Sequence, residues 1–317
     1  MEAPHVSVIM AVYNGGPHLE PAVRSILSQD LQALELIAVD DGSSDGSRDV
    51  LTAMAGADER LRPVFAEHAG LIATLNRAID EARAPIIARL DHDDVAAPSR
   101  LTKQLGVLNA RPRTVAVGCN LQRIDAAGEP VSRARPQRAR PRAHDPVNYP
   151  PSLTFLPGPT LCARADVLRQ AGRFREAFVA AEDRDLCWRL GERGDLVRLD
   201  EALVAHRVHG ENMSVRRRDR QIISHVLSDF SAIARHFGRD DAAILAAVDL
   251  SDLTLAPIEA YITLLSDVYA ARSYWLSVAD KQGAHALAGY ATPAAMKTAR
   301  LKAFGARALR ARGSTPM

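Results

Sequence analysis

The sequence predicts an α/β fold in which a mostly parallel sheet is flanked by helices and followed by an α-helical C-terminal extension. Over the first ~120 residues, short β-branched apolar runs alternate with segments of helical period, as expected when helices cover both faces of a parallel sheet. Past Arg216 the apolar residues keep only a helical stripe, which includes Ile222, Val226 and Phe230. We therefore expect one domain over residues 1–215 and a helical extension over residues 216–317.

Five strands are expected at the β-branched runs, over residues 6–12, 34–39, 61–65, 86–90 and 114–118. Four helices should fill the gaps, over residues 17–28, 45–55, 71–83 and 98–110. Pro98 suits a first helical position because a proline has no N–H to satisfy there. In the extension, helices are expected over residues 241–248, 256–274 and 293–312.

Polar clusters follow three of the predicted strands at the points where they end. They occupy residues 13–16, 40–47 and 91–94. In open sheets of this kind, ligands bind in the crevice beyond the carboxyl ends of the strands. The three clusters together therefore predict a ligand site at one edge of the sheet.

Three carboxylates lie within four residues in the last of these clusters, at Asp91, Asp93 and Asp94. Such concentrated negative charge favours a cation, and Mg²⁺ or Mn²⁺ binds a few carboxylate oxygens together with substrate phosphates. The alternative is a solvated acidic turn ahead of the next helix. A calcium loop is not indicated, because Val95 occupies the fifth position of the pattern, where a ligand oxygen is required.

Asp40 and Asp41 directly follow the second strand, where their carboxylates are placed to accept hydrogen bonds from a nucleobase N–H or from ribose hydroxyls. The alternative is turn chemistry with a helix cap, which the same Asp-Gly-Ser-Ser-Asp-Gly segment also supports. The glycine clusters match neither the dinucleotide-binding fingerprint nor the phosphate loop with its lysine. A nicotinamide enzyme and a P-loop ATPase are therefore not expected.

Residues 180–190 have the pattern of a helix that begins at its acidic residues. Asp183 shares a helical stripe with the apolar residues of this segment, so we expect it to face inward. Asp185 is expected to point away, as a surface or ion-pair residue like Arg189. An inward carboxylate at a helix N-terminus suits a general base. Helix capping is the alternative, and for Glu182 it is as well supported as catalysis.

Two histidines, His206 and His209, follow the last strand-like segment of the predicted domain. An imidazole there is placed to contact a metal or a phosphate. The alternative is an ordinary polar loop residue.

The composition fits a globular protein of a reducing compartment. The 317 residues include 47% hydrophobic and 25% charged residues, and the net charge of +2 is too small to indicate an acidic partner. Three widely spaced cysteines, Cys119, Cys162 and Cys187, predict core residues rather than disulfides or a zinc site. No signal peptide and no apolar run of about 18 residues is recognised, so we expect a cytoplasmic protein.

Five segments resemble, in their order and spacing, the motifs of the family 2 glycosyltransferases. They are VSVIMAVYN at 6–14, VDDGSSD at 39–45, ARLDHDD at 88–94 with Pro98 and Arg100 behind it, EDRDL at 182–186, and RVHG at 207–210. The resemblance covers roughly residues 5–215. It implies a GT-A fold, a nucleotide-sugar donor such as a UDP-sugar, a divalent metal and transfer with inversion at the anomeric carbon.

The resemblance also implies roles for individual residues. Donor binding would fall to Ala11, Tyr13, Asn14, Asp41, Asp91 and His92, with Asp41 accepting the N–H of the nucleobase. Metal binding would fall to Asp93, Asp91 and His209, with Asp94 beside them. Catalysis would fall to Asp183, which deprotonates the acceptor hydroxyl, and to Glu182.

Two departures from the family pattern concern the acceptor side. Residues 157–161 read Pro-Gly-Pro-Thr-Leu where many relatives have a His-Pro-Thr-like segment, and His206 replaces the usual tyrosine. We expect a glycan or a lipid-linked sugar as the acceptor. The alternatives are a non-catalytic sugar-nucleotide-binding scaffold protein and a nucleotidyltransferase, and the latter lacks a glycine-rich, basic triphosphate loop.

Two basic segments remain. Residues 133–142 form a proline-punctuated, arginine-rich stretch that is expected to recruit an anionic acceptor or to close over the diphosphate. Nucleic acid is not expected, because no aromatic residues interleave its arginines. The basic amphipathic helix expected over residues 293–312 predicts peripheral contact with the inner face of a membrane. Docking on the domain or pairing in a homodimer is the alternative.

Overall fold

The computed structural model describes residues 3–131 and 153–208, together with Ser224, Ser228, Ser231, Ala232, Arg235, Asp241 and Ala242. The chain divides into two compact units, Met1–Asp229 and Phe230–Met317. In the second unit, Arg235 Nη1 donates to Asp241 Oδ2 at 2.6 Å. The strands and helices given below all belong to the first unit. The predicted division at residue 215, the basic stretch 133–142 and the helices predicted over 256–274 and 293–312 remain predictions, since these segments lie outside the described residues.

One sheet of eight strands forms the centre of the first unit. The strands are β1 (Val6–Val12), β2 (Leu34–Asp41), β3 (Leu61–Ala66), β4 (Ile86–Arg89), β5 (Val95–Ala96), β6 (Thr114–Ile124), β7 (Cys162–Arg164) and β8 (Asp195–Arg207). Their order across the sheet is β3-β2-β1-β4-β7-β6-β8-β5. Strand β7 is antiparallel to β4 and β6, β5 is antiparallel to β8, and the other pairs are parallel. The predicted mostly parallel sheet is confirmed.

Within residues 3–131 and 153–208, six α-helices accompany the sheet: α1 (Leu19–Leu27), α2 (Ser47–Ala57), α3 (Leu71–Glu81), α4 (Arg100–Ala110), α5 (Ala165–Gln170) and α6 (Glu182–Gly191). Successive residues of a strand face opposite sides of a sheet. In β1, Val8 and Met10 belong to one buried cluster, whereas Ile9 belongs to the other. Both faces of the sheet are thus covered, which explains why β1 is apolar at nearly every position.

Helix α4 begins at Arg100, so the prediction that Pro98 occupies the first helical position is wrong. The short strand β5 pairs with β8 just before this point, and the N–H of Ala97 continues the pairing by donating to the carbonyl of Leu203 at 2.9 Å. The chain then turns before the helix, and the carbonyl of Pro98 accepts the N–H of Asp30 at 2.9 Å. Helix α4 therefore begins later than predicted, because the residues before it pair with β8, which is distant in the sequence.

The three cysteines are buried with free thiols, as the sequence predicted. Cys119 and Cys162 pack in the cluster that contains Val8, and Cys187 packs in the cluster that contains Ile9. Within residues 3–131 and 153–208, no helix combines the length and the apolar character that crossing a membrane requires.

Asp185 is fully buried, so the expectation that it points away from the core is wrong. Its carboxylate accepts hydrogen bonds from Arg189, one turn along α6, at 2.6 and 3.0 Å. Arg175, on the preceding loop, also donates to both oxygens and lies over the ring of Phe178. A carboxylate with two guanidinium partners is stable inside a protein although an isolated one is not.

We expect Asp185→Asn to lower the free energy of unfolding by about 3–5 kcal/mol, because the change removes a buried negative charge that accepts hydrogen bonds from two largely buried guanidinium groups. Urea unfolding followed by tryptophan fluorescence measures this, since the buried Trp188 lies on the same helix. Asp30→Asn is the matched control, because Asp30 is exposed. Equal shifts in the two variants would contradict the role assigned to Asp185.

Candidate functional site

The carboxyl ends of β1, β2 and β4 meet at one edge of the sheet, because these three strands are neighbours and run parallel. The segments that follow them are the three polar clusters of the sequence. Hydrogen bonds join the first two: the N–H of Asn14 donates to Ser43 Oγ at 2.9 Å, and Asn14 Oδ1 accepts the N–H of Ser44 at 2.9 Å. The structure thus brings together residues that are about thirty positions apart.

Asn14 fits this junction for a conformational reason as well. Its φ of 50° lies in the left-handed region, which asparagine tolerates better than most side chains. The next two N–H groups also bond to the second cluster, since Gly15 donates to Ser47 Oγ at 3.0 Å and Gly16 to Asp45 Oδ2 at 2.8 Å. Asn14 therefore fixes the loop after β1 against the loop after β2.

Tyr13 is an exposed aromatic residue of the site, with 47% of its surface accessible. Its ring stacks on His68, with ring centroids 4.4 Å apart and a tilt of 34°. His68 Nδ1 lies 2.9 Å from Asp41 Oδ2. An aromatic pair of this kind, with one face open to solvent, is suited to stacking against a planar ring. His68 was not among the predicted site residues, because its loop carries no recognisable motif.

Asp41 is almost completely buried and organises the loop that carries His68. Its two carboxylate oxygens accept the N–H groups of Ala69 and Gly70 at 2.7 and 2.9 Å. The prediction that the carboxylate of Asp40 is placed to contact a ligand is wrong. Asp40 is fully buried, where it accepts from Arg48 Nε at 2.7 Å and from the N–H of Ser43 at 3.1 Å.

The carboxylates after β4 separate into two kinds. Asp94 is fully buried, accepts the N–H of Arg207 at 2.9 Å and lies 3.1 Å from His206 Nδ1. Asp91 and Asp93 are half-buried, and Asp91 O accepts the N–H of Asp94 to form a turn. Asp94 therefore anchors the turn to β8, while Asp91 and Asp93 are the carboxylates at its accessible side.

The Asp94–His206 pair is shifted by burial and by its own hydrogen bond. Burial raises the pKa of Asp94 to about 6, against the opposing effect of His206. Burial lowers the pKa of His206, but the hydrogen bond and the charge of Asp94 outweigh it, so that the pKa is raised. The pair therefore keeps a proton up to a higher pH than an isolated histidine would.

His92 connects the turn to β1, since its Nδ1 lies 3.1 Å from the carbonyl oxygen of Ala11. His92 also lies against Gly15, where an added Cβ would come within 3.3 Å of the ring. Ala11, His92 and the loop after β1 are thus in contact, and their predicted role in donor binding stays a prediction. His209 lies outside the described residues, and its predicted metal role stays a prediction.

The carboxylate oxygens of the acidic turn are of the chemical kind that binds a divalent metal. Asp91 and Asp93 supply hard carboxylate donors, and Mg²⁺ or Mn²⁺ is commonly held by one or two carboxylates together with substrate phosphates. In the described part of the chain, no group of three or more His, Cys, Asp or Glu side chains forms a complete cage. Two carboxylates leave the remaining positions around such a cation to substrate oxygens or water.

Glu182 and Asp183 begin α6 as predicted, and the two carboxylates have different partners. Asp183 is half-buried and accepts the N–H groups of Gly158 and Arg184 at 3.0 and 2.7 Å. Glu182 is buried and accepts from Arg89 Nη1 at 3.1 Å. Burial raises the pKa of both carboxyl groups, although Arg89 opposes the shift in each. Asp183 is thus the more accessible and Glu182 the more firmly held.

Arg89 is a site residue to which the sequence assigned no role. It is the last residue of β4, its side chain is 4% exposed, and its Nε donates to Asp91 Oδ1 at 2.8 Å. Through its bond to Glu182 it joins the acidic turn to the start of α6. A basic residue at the end of an otherwise apolar strand is the signal that could have identified it, since a buried cation requires acidic partners.

A family model described as glycosyl transferase family 2 matches residues 7–171. An uncharacterized glycosyltransferase of Rickettsia conorii is 27% identical over 212 residues, which are 66% of this chain and 35% of that protein. A second, from Rickettsia prowazekii, is 27% identical over 209 residues, which are 65% of each chain. The chain thus spans from about a third to two thirds of the length of these relatives.

Solved structures show the same fold at low identity. S. aureus TarS 1-349 in complex with UDP-GlcNAc has a TM-score of 0.58 and 19% identity, over 83% of this chain and 80% of that one. A mannosyltransferase from Pyrobaculum calidifontis, in complex with GDP-Man and Mn²⁺, has a TM-score of 0.57 and 20% identity, over 98% and 87% of the two chains. The predicted GT-A type of fold is confirmed.

Proposed function

The chain belongs to glycosyl transferase family 2, and on that premise we propose that it transfers the sugar of a nucleoside-diphosphate sugar, in particular a UDP-sugar. The group that receives the sugar is a hydroxyl of a glycan or of a lipid-linked acceptor. Inversion at the anomeric carbon, assistance by a divalent metal and a general-base role for Asp183 are parts of the proposal. The observation that carries it is the convergence of the acidic turn after β4 with the start of α6, through Arg89.

The donor end of the site is assigned to the loops after β1, β2 and β4. The Tyr13–His68 ring pair offers a stacking surface for the base, and Asp41 holds the loop that carries His68. Asp91 and Asp93 supply carboxylate oxygens for the cation, which when bound would offset the negative charge of the departing diphosphate. The UDP-GlcNAc bound to TarS and the GDP-Man and Mn²⁺ bound to the archaeal mannosyltransferase support this class of donor.

The acceptor end is assigned to Asp183. Its carboxylate accepts the proton of the acceptor hydroxyl, the freed oxygen forms a bond to the anomeric carbon, and the bond from that carbon to the diphosphate oxygen breaks. A single displacement of this kind inverts the anomeric centre and needs no nucleophile from the protein. The N–H groups of Gly158 and Arg184 hold the base in place, while its raised pKa makes it a stronger proton acceptor than an ordinary aspartate.

Calorimetric titration with UDP, GDP and NADH tests the donor class. Each nucleotide is titrated with Mn²⁺ and again after chelation of the metal. Tight binding of UDP only with Mn²⁺ is the result expected from a metal-assisted UDP-sugar site. Binding of none of the three by folded protein would contradict the proposal. UDP binding without turnover of any nucleotide sugar would favour the non-catalytic alternative, and release of pyrophosphate would favour a nucleotidyltransferase.

Tyr13→Ala is expected to weaken UDP binding by about 5- to 150-fold, because stacking of a base on an aromatic ring contributes roughly 1–3 kcal/mol. Tyr13→Phe should retain most of the affinity, since it keeps the ring. Phe65→Ala is the matched control, because Phe65 is similarly exposed at 45% but lies on β3. Calorimetry with Mn²⁺ measures all three, and an affinity for Tyr13→Ala equal to that of the control would remove Tyr13 from the base site.

A further inference from the structure

Arg89 carries a positive charge in the interior, with 3% of its surface accessible. Placing a guanidinium group there is costly unless its N–H groups find acceptors and its charge is balanced. Burial lowers the pKa of Arg89, but the charges of Asp91 and Glu182 outweigh this effect, so the group stays protonated. The two acids that balance it come from opposite sides of the candidate site.

The first partner lies on the donor side. Arg89 Nε donates to Asp91 Oδ1 at 2.8 Å, which leaves Asp91 Oδ2 outside this bond. Asp91 is 28% exposed at its side chain, whereas Arg89 is 4% exposed. A buried donor therefore fixes the orientation of a more accessible carboxylate, which is the usual relation between a supporting residue and a metal-binding one.

The second partner lies on the acceptor side. Arg89 Nη1 donates to Glu182 Oε1 at 3.1 Å, on the residue next to Asp183. The guanidinium carbon also lies 5.6 Å from the centre of the Phe174 ring. A planar guanidinium can donate in two directions at fixed angles, which the ammonium group of lysine cannot do. One side chain thus sets the separation between Asp91 and Glu182.

Gly158 packs against the guanidinium group of Arg89. A Cβ added at Gly158 would lie 2.9 Å from Arg89 Nη1 and 3.0 Å from its Cζ, so the guanidinium occupies the space of a side chain. The N–H of the same residue donates to Asp183 Oδ2 at 3.0 Å. Gly158 therefore contacts both the arginine and the candidate base, and any other residue there would displace one of them.

We propose that Arg89 is a positioning residue that holds the donor-side carboxylate Asp91 and the acceptor-side pair Glu182–Asp183 at a fixed separation. The guanidinium group of Arg89 packs against Gly158 in this arrangement. This inference rests on the proposed function, in which Asp91 serves the donor and Asp183 the acceptor. The arginine itself contacts neither substrate. Its effect is on the geometry of transfer, where misplacement of reacting groups by about 1 Å can cost about 100-fold in rate.

Two variants test this inference by different routes. Arg89→Lys keeps the positive charge but loses the ability to donate in two fixed directions. Gly158→Ala keeps the arginine, and its added Cβ pushes the guanidinium group from the opposite side. For each, we expect kcat for sugar transfer to fall by about 10- to 100-fold, while the donor KM and the calorimetric Kd for UDP with Mn²⁺ stay within about threefold of wild type. Partial unfolding would lower kcat and the calorimetric stoichiometry by the same factor, so a stoichiometry equal to that of wild type assigns the loss of kcat to folded protein.

Matched controls exist for both substitutions. Arg62→Lys alters an arginine that also bridges two acids, Glu35 at 2.6 Å and Glu81 at 3.5 Å, outside the candidate site. Gly106→Ala adds a Cβ on α4, where no atom lies within 4 Å of it. Both should keep the wild-type kcat.

The possible results are distinct. A kcat equal to that of the controls in Arg89→Lys and Gly158→Ala overturns the inference and leaves the proposed function intact. A parallel loss of UDP affinity and kcat also overturns it, because the arginine would then act in donor binding. Wild-type protein that neither binds UDP nor releases it from a UDP-sugar overturns the proposed function, and the inference with it.

Discussion

Asp183→Asn is expected to lower kcat for sugar transfer by about 10²- to 10⁴-fold, which is the usual contribution of a general base. The amide keeps the size of the side chain and removes its ability to accept a proton. Binding of UDP with Mn²⁺ should stay within about threefold of wild type, because Asp183 lies at the acceptor end of the site. Steady-state kinetics and calorimetry on the same preparation measure both quantities.

Asp166→Asn is the matched control for this variant. Asp166 lies in the first turn of α5, as Asp183 lies in the first turn of α6, but it is exposed. It should transfer sugar at the wild-type rate. If Asp183→Asn transferred sugar as fast as this control, the general base would have to be another residue.

The pH dependence gives Asp183 a second signature. Burial raises its pKa above the ordinary 3.8, so the protonated, inactive form persists to higher pH than in an ordinary aspartate. Activity should therefore be present above this raised pKa and decline as the pH falls through it, within a profile measured from about pH 4 to about pH 8. Asp183→Asn should lack this acid limb in its residual activity.

Asp93→Asn is expected to weaken the binding of UDP in the presence of Mn²⁺ by about 10- to 100-fold or more, and to lower turnover with it. Asp93 is assigned to the metal itself, and changes around a metal site typically cost about 10- to 100-fold in affinity or activity. After chelation of the metal, the variant and the wild type should bind UDP equally. This equality identifies the lost interaction as one that requires the cation.

Asp80→Asn serves as the control for Asp93→Asn, because Asp80 is an exposed acid paired with Arg173 at 2.6 Å on another part of the surface. Its titration curve with Mn²⁺ should match that of the wild type. A curve for Asp93→Asn that also matches would exclude this carboxylate from the metal site. The thermal unfolding temperature of both variants should stay near that of the wild type, since neither side chain is fully buried.

The loops after β1, β2 and β4 could be located from the sequence because their positions depend on local patterns. The β-branched apolar run places β1 at Val6–Val12, as predicted, and parallel pairing puts the ends of β1, β2 and β4 together without further information. Turn-forming residues follow each end, so the loops could be located from composition alone. The start of α6 at Glu182 was found in the same way.

The acceptor end was predicted less well because its partners are distant in sequence. Arg89 and Glu182 are 93 positions apart, and no periodicity relates them. Helical phase likewise placed Asp185 outside, since it does not account for Arg175 on the preceding loop, whose charge makes burial possible. Sequence patterns report which positions are apolar, whereas buried charges follow from pairs that only the folded chain brings together.

The measurement that tests the central proposal most directly is release of nucleotide from a panel of UDP-GlcNAc, UDP-glucose, UDP-galactose and GDP-mannose. Wild type, Asp93→Asn and Asp183→Asn are compared with Mn²⁺ and after chelation, and water serves as the acceptor. We expect wild type to release UDP from at least one UDP-sugar only with the metal, and both variants to lose most of this activity. Release that is absent in folded wild-type protein, or that is equal in all three proteins, would contradict the proposed transferase site.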